Sequence, residues 1–337
     1  MAEKKICRSA DISNLYQDND GYPLGSESHP RGRGEAAIIY PVISRRAGGL
    51  SLGINLFPER KVCSYNCPYC EVLPFSNPGA SLKSGDVSRA IQRFFDEEWS
   101  ELSKTLELKD ISISGNGEPT LSPFLEEALY AARQAIETIA NAKDYAVRFP
   151  QHSIPTLVLI TNSTGFLNEV IRELLIGFYK NFPFEIWAKL DGGTEKLHTQ
   201  LSRSSFPFAE IVRSITDFSR SVPLTLQTMV IYDNRTGNVY FDCQAYAATI
   251  NKILNNGGQI KAIQLYTVAR VPVESWVVPV SDKEIVSFAR QLSSLLDKLP
   301  KEKAIDEKEE ALQNKAYSLP IFCYGSQGKL DWDHADR

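Results

Sequence analysis

The chain has 337 residues, 43% of them hydrophobic and 23% charged, with a formal net charge of −4. That length suits one large α/β domain or two ordinary ones, and the acidic total leaves no footprint of a strong nucleic-acid binder. No apolar run approaches the roughly 20 residues that a bilayer-spanning helix needs, and the opening Met-Ala-Glu-Lys-Lys-Ile-Cys has no apolar segment of a signal peptide, so a cytoplasmic protein with no membrane partner is expected.

Residues 1–40 are polar and rich in turn formers, and read as an irregular extension. From Leu50 onward short β-rich runs alternate with longer helical ones, the pattern of βα units and a parallel sheet. Strands are predicted at 50–57, 110–114, 156–161, 184–190, 223–232 and 259–268. Helices are predicted at 87–102, 123–140, 166–180, 208–218 and 239–254. Ser281-Asp-Lys-Glu284 is a capping box that opens a last helix toward Leu299. In the first helix Val87, Ile91, Phe94, Phe95, Trp99 and Leu102 recur at helical spacing, which makes them a core stripe. Six β/α repeats fall short of the eight of a closed barrel. The expected organisation is therefore an extension over 1–40, an α/β core over 41–280, and a C-terminal helix and tail over 281–337. In that tail, 301–310 reads as a solvated charge run and 317–324 as an apolar segment that packs back on the core.

The stretch richest in chemistry is Cys63-Ser-Tyr-Asn-Cys67-Pro-Tyr-Cys70, on the loop after the first strand. Three thiols this close can grip one metal centre. A structural zinc takes four ligands, yet no other Cys or His lies between His29 and His152. A cubane iron–sulfur cluster held by three thiolates keeps one iron free for a ligand that is not protein. A zinc knuckle completed by a distant histidine is the alternative. The remaining cysteines, Cys7, Cys243 and Cys323, are scattered, and the six together do not form a disulfide framework.

Cys-x3-Cys-x2-Cys with Tyr69 in the aromatic place before the last cysteine resembles the signature of the radical S-adenosylmethionine (radical SAM) superfamily. The resemblance implies a partial (β/α)6 barrel and a 4Fe-4S cluster on Cys63, Cys67 and Cys70. It also implies that the free iron chelates the methionine moiety of SAM, and that one electron cleaves the sulfonium to a 5'-deoxyadenosyl radical. An electron donor such as flavodoxin or ferredoxin is implied as partner.

The C-terminal ends of the strands, where parallel β/α proteins carry their sites, hold matching polar groups. Gly115-Asn-Gly117-Glu118-Pro is similar to the superfamily's Gly-Gly-Glu-Pro segment, so Gly115 and Gly117 would let backbone approach SAM and Glu118 would meet its ammonium. In the fourth strand, alternation puts Glu185, Trp187, Lys189 and Asp191 on one face. The resemblance gives Asp191 to the ribose; Lys189 serves the SAM carboxylate, a substrate, or the neutralisation of Asp191. Asn162 is a further cofactor candidate, with Gln227, Gln264 and Thr267 as weaker ones, and Arg203 reads first as a solvated arginine.

Within the superfamily, 41–280 resembles iron–sulfur oxidoreductases related to the tRNA wyosine-synthesis enzymes. The stretches that carry this are Pro41-Val-Ile-Ser-Arg-Arg46, Ser51-Leu-Gly-Ile-Asn55, Ser114-Gly-Asn-Gly-Glu-Pro-Thr120, Lys189-Leu-Asp191 and Leu265-Tyr-Thr-Val-Ala-Arg270. Those enzymes carry a second cluster on further upstream cysteines, whereas only Cys7 precedes the motif here. A radical SAM enzyme with an unassigned substrate is thus the first expectation. A tRNA-base modifying enzyme and a non-catalytic metal-binding module are the alternatives.

Overall fold

The computed structural model describes residues 38–142, 154–298 and 319–332. Most of the extension at 1–40, with Cys7, and the charge run at 301–310 lie outside them. The chain divides into two compact units: Met1–Cys63 with Glu71–Leu159 and Ala269–Val271, and Ser64–Cys70 with Ile160–Val268 and Pro272–Arg337.

In the first unit, β1 (Ile39–Ser44) and β2 (Gly49–Asn55) form an antiparallel hairpin. Gly53 makes room for the Tyr40 ring, since a Cβ there would lie 2.1 Å from Tyr40 Cζ. The Tyr40 hydroxyl in turn pairs with Ser114 Oγ at 2.6 Å. β2 runs parallel to β3 (Leu108–Ser114), and β3 parallel to β4 (Thr156–Thr161). Helix α1 (Asp86–Arg93) packs on α2 (Leu125–Asn141). The helix predicted over 87–102 is interrupted, because a π turn at Phe94–Glu98 separates α1 from a last helical turn, Trp99–Leu102. The wider turn shifts the side-chain register and lets Phe94, Phe95 and Trp99 meet as one aromatic group, with ring centroids 5.2 and 6.1 Å apart for Phe94–Phe95 and Phe95–Trp99. Of the three, Phe94 is buried in the core as expected, while Phe95 and Trp99 are half-buried.

In the second unit, β5 (Glu185–Lys189), β6 (Leu224–Met229), β9 (Ile260–Tyr266) and β11 (Ile321–Tyr324) run parallel in that order. The short β12 (Lys329–Leu330) turns back antiparallel on β11. The tail segment read as packing back on the core does so as a strand. Helices α3 (Glu169–Asn181), α4 (Glu195–Ser202), α5 (Phe208–Ser219), α6 (Cys243–Asn255) and α7 (Asp282–Asp297) follow the strands. The α7 start carries the predicted capping box of Ser281 and Glu284. α4 was not predicted; its apolar stripe is short, and Thr194 caps it through the Leu197 N–H. The strand predicted over 223–232 ends early, and Ile231–Asp233 (β7) instead joins β8 (Asn238–Val239) and β10 (Val277–Pro279) in a small antiparallel sheet. Among the described residues, β2, β3, β4, β5, β6 and β9 are each followed by helix, six β/α repeats in all. That is the α/β class and the repeat number expected of the radical SAM partial barrel.

Two interactions in the second unit make measurable predictions. Phe166 and Phe218, both fully buried, stack at 4.2 Å. F218A is expected to destabilise the protein by about 3–5 kcal/mol, read as a lower urea midpoint. Asp233 sits at the end of β7, and the hydrogen bonds from Arg235 hold its carboxyl well below the usual carboxylate range. A lowered native pKa stabilises above the ordinary carboxylate value, about pH 4, and the gain is lost on further acidification. Between pH 5 and pH 2, D233N is therefore expected to lose less of its denaturant stability than the parent protein.

Candidate cofactor site

The cysteine loop is braced by hydrogen bonds rather than by secondary structure. Within the second unit Cys70 N–H donates to the Cys67 carbonyl at 3.1 Å, and Asn66 N–H donates to the Ser202 carbonyl at 2.8 Å. Val273 N–H donates to the Cys70 carbonyl at 2.7 Å, and Glu274 N–H to the Pro68 carbonyl at 3.2 Å. Asn162, expected at the cofactor, lies at the end of β4 and holds this loop. Its Nδ2 donates to Ser64 Oγ at 2.8 Å, while its Oδ1 accepts from Thr164 N–H at 3.0 Å and from Thr164 Oγ1 at 2.7 Å. Cys63, Cys67 and Cys70 are half-buried and take part in no disulfide. Among the described residues no three or more His, Cys, Asp or Glu side chains are gathered as a metal cage. The donor set itself, three thiols close together on one loop, fits a soft iron–sulfur centre.

Alternation in β5 places its polar end as predicted. Asp191, 4% exposed, accepts from the Tyr69 hydroxyl at 2.6 Å and from Met229 N–H at 2.8 Å. The Lys189 ammonium lies 3.6 Å from Asp191 Oδ2 and donates to the Tyr266 hydroxyl at 2.7 Å. It also sits over the Tyr69 and Tyr266 rings, 4.8 and 5.1 Å from their centroids. Of the roles open to Lys189, the neutralisation of Asp191 is thus present. Burial pulls the Lys189 ammonium down, but Asp191, Tyr266 and Cys67 outweigh it and the net shift is upward. Burial, then the Asp191 charge, pushes the Tyr69 phenol well above its usual value. Tyr266 belongs to this group although sequence reading passed over it; the one available signal was its place at the C-terminal end of a predicted strand. Past Asp191 the chain turns through Gly193 at φ 93°, where a Cβ would meet Tyr246 N at 2.5 Å.

In the first unit the glycine loop after β3 lies directly on the backbone before Cys63. Glu118 N–H donates to the Val62 carbonyl at 2.8 Å, and a Cβ on Gly117 would fall 1.8 Å from that same oxygen. Gly115 has φ 122°, and a Cβ there would press on Asn55. Glu118 is 1% exposed and caps the short 3-10 turn Pro119–Leu121, accepting from Thr120 N–H at 3.2 Å and Thr120 Oγ1 at 2.7 Å. In the same unit Arg270 forms an ion pair with both oxygens of Glu71, at 2.7 and 2.5 Å.

The weaker candidates are hydrogen-bonded within the fold. Gln227 Nε2 donates to Gln264 Oε1 at 2.9 Å, and Thr267 Oγ1 accepts from Val280 N–H at 3.0 Å. Arg203 is not simply solvated: it ends α4 with φ 48° and pairs with Glu274 at 2.7 Å. Cys243 and Cys323 are buried, and burial pushes each thiol up to about 12.

No family model matches the chain. A UPF0026 protein of Helicobacter pylori (strain ATCC 700392 / 26695) is 34% identical over 105 residues, 30% of this chain. The matched stretch spans about a third of that relative's length, 32%. A UPF0026 protein of Synechocystis sp. is 28% identical over 241 residues, 68% of this chain and 78% of that one. The GTPase Obg of Brachyspira hyodysenteriae is 28% identical over 186 residues, 54% of this chain and 23% of the GTPase. Among solved structures, a radical SAM methyltransferase from Sphaerobacter thermophilus is similar with a TM-score of 0.49 and 14% identity, over 83% of this chain and 67% of that one. TYW1 with a lysine-pyruvate adduct bound is similar with a TM-score of 0.47 and 14% identity, over 77% of each chain. No helix among the described residues is long and apolar enough to cross a membrane.

The exposure difference among the cysteines is directly measurable. Iodoacetamide at pH 8 is expected to label Cys63, Cys67 and Cys70 in the folded, metal-free protein and to leave Cys243 and Cys323 unlabelled until it is denatured, as read by peptide mass mapping.

Proposed function

We propose that this chain is a radical SAM enzyme, with Cys63, Cys67 and Cys70 as the ligands of a 4Fe-4S cluster and S-adenosylmethionine as the ligand of its open iron. When bound, the cluster supplies the electron that cleaves the sulfonium to a 5'-deoxyadenosyl radical, which takes a hydrogen atom from a substrate. The observation that carries the reading is the set of three thiols at i, i+4 and i+7, none of them in a disulfide, on a loop braced by backbone hydrogen bonds.

The roles of the chain's own residues follow from their chemistry. Gly115 and Gly117 let the loop close against Asn55 and the Val62 carbonyl, which sets its backbone on the segment before Cys63. Asp191 offers a carboxylate to the ribose hydroxyls, and the Lys189 ammonium pairs with it at 3.6 Å. Tyr69 orients Asp191 through its hydroxyl. The buried aliphatic and aromatic side chains beside Tyr69, among them Leu201, Met229 and Val268, exclude water from its neighbourhood. Flavodoxin or ferredoxin would be the electron donor.

Anaerobic reconstitution with iron and sulfide, followed by reduction in the presence of SAM, tests the assignment. The expected outcome is about four irons per chain and release of 5'-deoxyadenosine, with both lost in C63A, C67A and C70A. A protein that takes up only zinc and never binds SAM is the non-catalytic metal module instead.

A further inference from the structure

Arg203, at φ 48°, is one of two non-glycine residues with positive φ among the described residues. That left-handed backbone disfavours a side chain, and glycine would end α4 there without strain. An arginine held at such a place points to work done by its side chain. Its guanidinium donates to Glu274 Oε1 at 2.7 Å. The other carboxylate oxygen, Oε2, accepts from Trp276 Nε1 at 3.1 Å. The hydrogen bond from Arg203 holds the Glu274 carboxyl below its usual range, so the pair is charged at neutral pH.

The same two residues carry the anchors of the cysteine loop. Ser202, next to Arg203, accepts the Asn66 N–H at its carbonyl at 2.8 Å, and the Glu274 N–H donates to the Pro68 carbonyl at 3.2 Å. Asn66 and Pro68 flank Cys67. A closed ring thus runs within the second unit: from Cys67 through Asn66 to Ser202 and Arg203, across the ion pair to Glu274, and back through Pro68. Cys67 and Trp276 both pack against the apolar cluster of Tyr69, Leu201 and Met229, which backs the ring. Arg235, another cation beside Glu274, is engaged elsewhere, with two hydrogen bonds to Asp233 and a place over the Trp276 ring at 4.0 Å. Without Arg203 the two anchors are no longer joined by charge.

We infer that Arg203 and Glu274 are positioning residues for Cys67: their ion pair couples the backbone anchors on either side of it and fixes where its thiol stands. The use of that thiol as an iron ligand rests on the radical SAM reading above, whereas the positioning needs no metal.

A half-exposed ion pair adds little to global stability, so the effect is sought locally. The measurement is the rate of iodoacetamide alkylation of Cys67 relative to Cys63 in the folded, metal-free chain, by peptide mass mapping. R203G removes the guanidinium at a position that glycine favours, so the fold is expected to be kept. Its Cys67 is expected to react about threefold to fivefold faster relative to Cys63. R203K keeps the charge and is expected to stay within about twofold of the parent. Salt at about 1 M is expected to bring the parent's ratio toward that of R203G and to leave R203G unchanged. Equal ratios in R203G and parent overturn the inference. An equal rise in R203K overturns it too, as does a parent ratio indifferent to salt, since neither fits a role for the charge pair. Should R203G fail to fold, E274Q, which leaves the backbone at Arg203 as it is, decides by the same ratio. In the iron-reconstituted chain, R203G is expected to lose iron to a chelator faster than the parent. A parent chain that takes up no cluster sinks the radical SAM reading alone, and the labelling ratio still judges the ion pair.

Discussion

The hydrogen bond from the Tyr69 hydroxyl to Asp191 Oδ2 ties the second half of the cysteine loop to the C-terminal end of β5. Asp191 is a nearly buried anion, and such a charge persists only when it is surrounded by donors and an opposite charge. Three groups meet that need: the Tyr69 hydroxyl, the Met229 N–H and the Lys189 ammonium. Lys189 is itself satisfied by Tyr266 and by the faces of two rings. The four side chains therefore stand or fall together, since removing one leaves a buried charge under-compensated. Conditions that hold Asp191 in place thereby hold Tyr69, and Cys67 and Cys70 on either side of it.

A different constraint acts in the first unit. There the loop after β3 is located by backbone contact alone, with Gly117 against the Val62 carbonyl and Glu118 N–H bonded to it. Side chains would prevent that approach, so the glycine is a steric requirement and not a source of flexibility. The polar side chains of the loop are then free to serve different ends. Glu118 stabilises the following 3-10 turn through Thr120, and Asn116 keeps a buried acceptor without a donor. A fold that leaves such an atom unpaired gives up stability at that point.

Local pattern was a good guide where one force dominated. The strand at 156–161 appears with the predicted bounds, and the alternation that pointed Lys189 and Asp191 to one side of β5 is borne out by their 3.6 Å separation. The Ser281–Glu284 capping box likewise needs only four consecutive residues. Elsewhere distant contacts overrode the local signal. The aromatic stripe at 87–102 looked like one unbroken helix, yet the mutual packing of Phe94, Phe95 and Trp99 accompanies a π turn. Ile231–Asp233 left β6 to pair with Val277–Pro279, a partner more than forty residues away.

The sequence by itself determined the alternation of strands and helices, the three thiols at their spacing, and the polar residues at the strand ends, because each depends on neighbours within a turn or a strand. Only the tertiary structure decided that Tyr266 joins Lys189, that Asn162 braces the cysteine loop, and that Glu118 is buried as a cap while Asn116 is left with an unpaired oxygen. Those outcomes hang on which hydrogen-bond donors and acceptors meet across long stretches of chain, and spacing along the sequence carries no record of such meetings.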